Sequence, residues 1–175
     1  MIKKILIGLA VVVAAFAVVV ACQPSRYRVE RTATIPAPAP VVFQQVNDFH
    51  SWEAWSPWAK LDPSATNSFA GPSAGEGAIF TWAGNDKVGE GRMTLTESHP
   101  SDRIRIKLDF LRPFASSCDV EFTFQPEGRQ TVVSWTMTGE KNFLSKAVCL
   151  FMNMDKTVGG DFERGLANLK SVAKN

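Results

Sequence analysis

The sequence predicts an α+β protein: a curved antiparallel sheet of about seven strands wrapped around a long C-terminal helix, preceded by one N-terminal hydrophobic helix. Three observations predict it. Residues 103–138 hold three successive segments that alternate apolar and polar side chains. From Leu144 to Ala173 apolar residues recur instead at spacings of three and four. Residues 5–21, ILIGLAVVVAAFAVVVA, contain no charge, no amide and no hydroxyl.

The apolar run sets residues 1–25 apart as a membrane anchor or signal segment and leaves residues 26–175 as one domain of ordinary size. It lies between the short core of a cleaved signal and the roughly 20 residues of a spanning helix. Val19-Val20-Ala21-Cys22 looks like a bacterial lipobox with Val where Leu is usual, which makes Cys22 a candidate lipidation site. Three fates stay open: uncleaved anchor, lipoprotein and cleaved signal. Lys3 and Lys4 favour a cytoplasmic N-terminus, while Arg26, Arg28 and Arg31 oppose it. A short tail with a signal-like layout places the domain outside the cytoplasm. That compartment permits a Cys118–Cys149 disulfide.

Composition excludes several classes. The chain is 45% apolar with 12 Phe and 5 Trp, which rules out disorder. The formal charge of +2 is supplied by Lys3 and Lys4, so the domain is neutral. A nucleic-acid binder needs a clustered basic surface, and none is expected. Three cysteines without a CxxC pair make neither a disulfide framework nor a thiolate metal site.

The elements follow in order. Tyr27–Ile35 alternates Tyr27, Val29, Arg31, Ala33 and Ile35 against four polar residues, giving a strand with a mostly apolar face. PAPAP at 36–40 ends it, and Pro40 suits the first turn of a short helix over Val41–Val46. Residues 48–65 show little periodicity but hold Trp52, Trp55 and Trp58. Short strands follow at Thr66–Ala70, Gly77–Ala83 and Gly89–Ser98. Arg103–Leu111, Ser116–Phe124 and Gln130–Thr138 then alternate most clearly, with Ile104, Ile106, Leu108, Phe110, Cys118, Val120, Phe122, Phe124, Trp135 and Met137 on the dry face. The final helix spans about 28 residues, or about 42 Å. Gly159-Gly160 and Gly165 interrupt it, which points to close packing or a kink.

Catalytic chemistry is hard to find. His50 and His99 sit in loops. HExxH, GxSxG and GxGxxG motifs are absent, so neither a metal nor a cofactor is expected. Arg92, Glu90 and Glu97 belong to a solvated face, and Asp155 and Asp161 to the wet side of the helix. The aromatic residues are more informative, because apolar pockets are built mainly from aromatic and aliphatic side chains.

The proline-led helix and spaced tryptophans of IPAPAPVVFQQVNDFHSWEAWSPW, the strands of GAIFTWAGNDKVGEGRMTLTES and the closing LSKAVCLFMNMDKTVGGDFERGLANLK resemble the SRPBCC (START/birch-pollen-allergen-like) superfamily. Within it the chain is most similar to the bacterial polyketide cyclase/dehydrase-type branch. The resemblance covers about residues 27–173 and implies a helix-grip fold with a hydrophobic cavity between sheet and helix.

The reading that follows is a domain tethered to the bacterial inner membrane through residues 5–21, binding a hydrophobic small molecule or lipid without chemistry. Expected pocket-lining residues are Phe80, Trp82, Met93, Leu95, Ile106, Leu108, Phe110, Val120, Phe122, Trp135, Met137, Phe151, Met154 and Val158. Trp52, Trp55 and Trp58 are expected at a lid or mouth. One rival is a cyclase or dehydratase, which needs a buried carboxyl or hydroxyl facing the cavity. Another is a partner-binding module resembling activators of heat-shock ATPases, which needs an apolar outer sheet face. A core filled throughout would remove the first two readings together.

Overall fold

A computed structural model describes residues 2–174. α1 (Ile2–Ala21) is followed by β1 (Arg26–Ile35), α2 (Ala39–Asn47), a 3-10 turn at Phe49–Ser51 and α3 (Trp52–Trp55). Six strands come next: β2 (Thr66–Ala70), β3 (Ile79–Ala83), β4 (Glu90–His99), β5 (Arg103–Arg112), β6 (Ser116–Glu127) and β7 (Gln130–Glu140). The chain closes with α4 (Phe143–Cys149) and α5 (Met154–Val172).

The seven strands form one sheet in the order β1-β7-β6-β5-β4-β3-β2, with every neighbouring pair antiparallel. Only the β1–β7 pairing joins distant segments; the rest are sequential hairpins. Alternation settles which face is dry. Ile104, Ile106, Val120, Phe122, Val133 and Trp135 are all buried. The opposite face carries cross-strand ion pairs, with Arg105 bonded to Glu121 at 2.8 Å and to Glu97 at 2.9 Å, and Lys107 paired with Asp119 at 3.3 Å. A register shift in β4 between Leu95 and Glu97 turns Glu97 toward Arg105.

α5 covers the dry face. Its Phe162, Leu166 and Leu169 are buried, and Phe162 stacks on Trp135 with ring centroids 4.1 Å apart and planes 8° from parallel. Gly165 is required here. A Cβ at this position would lie 2.7 Å from the Trp135 ring, so the aromatic platform and the helix meet at backbone distance.

The C-terminal periodicity spans two helices rather than one. Leu150–Asn153 separates α4 from α5, and the Asn153 side chain accepts from the Lys156 N–H at 3.0 Å. Capping satisfies an N–H that a fresh helix start leaves free, which competes with continuing the helix. Apolar spacing alone cannot register such a break, because Leu150, Phe151 and Met154 keep the period across it.

α1 is 20 residues long, about 30 Å, and apolar enough to cross a membrane. Its end packs on α4. Val20 is fully buried, and the Lys146 ammonium donates to the Ala21 carbonyl at 3.4 Å.

Candidate functional site

The centre of the dry face is filled by aromatic side chains. Trp52 and Trp55 enter from the segment after α2 and are both buried. Trp55 meets Trp135 edge-on at 5.7 Å and Phe122 at 6.2 Å. Trp58 meets Trp135 edge-on at 5.8 Å. Edge-to-face contacts align the positive ring edge with a negative ring face, so the cluster is held by more than its buried area. Trp52 donates to the Val46 carbonyl at 2.9 Å and Trp55 to the Gln45 carbonyl at 3.0 Å. The three tryptophans therefore lock the segment between sheet and α5, and Asn168 of α5 adds a bond to the Trp55 carbonyl at 3.1 Å. Trp135 is different: its buried indole N–H has no hydrogen-bond partner among the described residues.

The residues expected to line a pocket occupy three settings. Met93, Leu95, Ile106, Val120, Phe122, Trp135 and Met137 are buried within one cluster. Phe80, Trp82, Leu108, Phe110, Met154 and Val158 are partly buried and pack against it. Phe151 is 82% exposed, at the break between α4 and α5.

That break opens a groove of about 550 Å³. Tyr27 and Val29 of β1 form one wall, and Leu150, Phe151, Met152 and Met154 form the other. Arg26, Arg28 and Lys141 stand among its polar lining. Phe151 and Met154 are among the residues expected at a pocket from the sequence; Tyr27 and Val29 of the β1 wall are not. Tyr27 is the chain's single tyrosine.

Two polar arrangements border the groove. Arg31 projects from the apolar face of β1 and bonds the Asp155 carboxylate at 3.0 Å and Glu163 at 2.7 Å. These bonds raise the Arg31 pKa and hold the Asp155 carboxyl below its usual range. Asp155 stays 60% exposed while reaching Arg31, in keeping with its expected place on the wet side, whereas Asp161, beside Arg164, is only 19% exposed. Deeper in, Tyr27 lies beside the buried Cys118 thiol. Burial raises the phenol and pushes the thiol up to about 11, although the Tyr27 hydrogen bond opposes the latter shift. Cys22, Cys118 and Cys149 are all free thiols. No group of three or more His, Cys, Asp or Glu side chains suited to a metal ion occurs among the described residues.

An antiparallel sheet gripping a C-terminal helix, with an open groove of mixed apolar and charged lining at one end, defines a helix-grip domain. The chain belongs to the family described as polyketide cyclase / dehydrase and lipid transport, which it matches over residues 26–174. No curated protein matches it. Solved structures share the fold at low identity. A Thermobifida fusca protein is 22% identical with a TM-score of 0.60, covering 83% of this chain and 92% of its own. Protein CV1439 from Chromobacterium violaceum is 14% identical with a TM-score of 0.61, covering 87% and 99%. The Aha1 dimer from Colwellia psychrerythraea is 13% identical with a TM-score of 0.60, covering 84% and 96%.

Proposed function

We propose that this protein binds a hydrophobic small molecule or lipid in the groove between β1 and the α4–α5 junction, and that α1 holds the groove at a membrane. The observation that carries this reading is the groove itself. Its volume of about 550 Å³ falls within the range of small-molecule sites, about 300–1,000 Å³. The aromatic packing beneath the sheet directs attention to this end of the fold. Met152 and Met154 supply unbranched side chains that adapt to varied apolar shapes. Arg26, Arg28 and Lys141 would suit an anionic head on an apolar ligand. The family's lipid-transport description agrees with that chemistry.

A binding role without chemistry is the favoured form. The groove's lining offers the Tyr27 hydroxyl, whose raised pKa makes it a poor base near neutrality, and the Asp155 carboxylate, which is exposed and tied up by Arg31. The outer face bears charged pairs across β4–β6, which disfavours a co-chaperone-like partner there.

The test is native mass spectrometry of the full chain ejected from lipid nanodiscs, beside a Met152→Asp variant that puts a charge on the exposed apolar wall of the groove without touching the core. The expected result is a bound apolar molecule on the wild type and its loss from the variant. An equal complement on both chains, or none on either after incubation with a lipid panel, overturns the reading.

A further inference from the structure

We infer that α4 and the β5–β6 hairpin form a membrane-embedded face, so that the groove opens into the lipid surface rather than into water. This rests on the proposed tether through α1, and it assigns a specific orientation that a tether alone does not impose.

The first support is distribution. Among the described residues beyond α1, ten large apolar side chains are exposed, and all but Val41, Leu61 and Phe69 lie in three pieces near one end of the sheet. Phe143, Leu144 and Val148 are on α4. Phe151 and Met152, 82% and 54% exposed, occupy the turn after it. Leu111 and Phe114, 52% and 68% exposed, flank the tip of the β5–β6 hairpin. Scattered exposed apolar residues are normal on a soluble surface, but a concentration of this kind marks an interaction site.

The second support is topology. β1 begins at Arg26, opposite Glu140 at the end of β7. β6 begins at Ser116, opposite Phe110 near the end of β5. The start of β1, the end of β7 and the β5–β6 tip therefore share one end of the sheet. α4 follows β7 directly and packs on the end of α1. The apolar pieces thus lie at the end of the sheet from which α1 leaves the domain.

The third support is reach. Four residues separate Ala21 from Arg26, a span of at most about 18 Å over five Cα–Cα steps when fully extended. The Lys141 N–H also bonds the Ser25 carbonyl at 2.6 Å, continuing the β1–β7 ladder into that linker. A spanning α1 consequently brings this end of the sheet to the interface. Lys141 shares the groove lining with Phe151 and Met152 and lies 6.0 Å over the Tyr27 ring, and Lys146 on α4 reaches the Ala21 carbonyl, so neither ammonium is neutralised by a carboxylate among the described residues. Apolar side chains flanked by ammonium groups suit the boundary between acyl chains and anionic headgroups.

The experiment uses the full chain in vesicles of phosphatidylcholine with a minor fraction of phosphatidylglycerol. Cys22 and Cys149 are replaced by Ser, and the buried Cys118 is retained. Single cysteines at Phe114→Cys, Leu144→Cys and Phe151→Cys carry an environment-sensitive dye, with Arg129→Cys at the opposite end of the sheet as control. Unchanged far-ultraviolet circular dichroism establishes that each labelled chain is folded. The expected result is at least about twofold quenching by nitroxide-labelled acyl chains at the three sites and none at Arg129→Cys. Chains that float with the vesicles but carry water-exposed, unquenched dye overturn the embedded face and leave the tether standing. Chains that fail to float overturn the tether and this inference with it. Dye shielded from aqueous quencher yet untouched by the lipid nitroxide indicates a second copy on the face, and also overturns the inference.

Discussion

Arg31 lies against Gly159, its guanidinium filling the space where any other residue would carry a Cβ. Asp155 and Glu163, one turn to either side along α5, take up its N–H groups. A cation on the apolar face of β1 thereby finds two carboxylates, and the glycine permits the approach.

Gly159 and Gly160 are predicted to respond oppositely to alanine. Nothing lies within 4 Å of a Cβ at Gly160, so Gly160→Ala should stabilise by about 1 kcal/mol through helix propensity. Gly159→Ala should lower the thermal midpoint in the wild type, because it displaces Arg31. In an Arg31→Ala background the same substitution should raise it. Equal effects in both backgrounds would show that Arg31 and Gly159 are uncoupled.

Truncation of Trp135 should be costly, and loss of its unpartnered N–H should not. Trp135→Ala removes the ring that stacks on Phe162, an expected loss of about 3–5 kcal/mol. Trp135→Phe should cost clearly less than Trp135→Ala, because no hydrogen bond is broken and only the space of the missing ring is left empty. Trp55→Phe leaves the Gln45 carbonyl without its donor, an added cost of about 1–3 kcal/mol. Chemical denaturation orders the three variants.

Acid should weaken the link between the segment before β2 and the β3–β4 turn. Asp62 accepts from the Ser64 hydroxyl at 2.6 Å and from the Asn85 N–H at 2.7 Å, which lowers its pKa from 3.8. A depressed carboxyl pKa contributes stability that is fully present above the unfolded value and is lost as pH falls through the folded one. Asp155, lowered by Arg31, acts in the same window. Thermal midpoints should therefore fall more steeply below about pH 4 in the wild type than in Asp62→Asn. Parallel pH profiles would remove Asp62 from the account.

Cys118 should resist alkylation at pH 8 while exposed Cys22 reacts. Its thiol is buried and its pKa is pushed up to about 11, so little thiolate is present. Mass-resolved labelling with iodoacetamide, native and in denaturant, reads this directly. Rapid native labelling at Cys118 would show that the Tyr27 corner opens.

Much of the fold was legible because its signals are local. Alternation in Arg103–Thr138 assigns the strands and their faces within a few residues. Alternation in Tyr27–Ile35 likewise places Arg31 on the apolar face of β1, although nothing nearby reveals its partners on α5. The break at Leu150–Asn153 was not legible, since apolar spacing continues through it; Asn153, a good capping residue, was the available hint. Trp52 and Trp55 stand three residues apart, a helical spacing hidden in a segment rich in turn residues.

The order of elements, the dry side of the sheet and the apolar first helix are properties of short stretches of chain, and the sequence determines them. The filling of the interior is not. It depends on whether side chains from α3, β6, β7 and α5 meet in one volume, and here Trp55, Phe122, Trp135 and Phe162 do so. The groove arises in the same way, from the start of β1 facing a helix break more than a hundred residues later. Packing sums contributions from distant segments, so only the tertiary structure could decide where this domain is solid and where it is open.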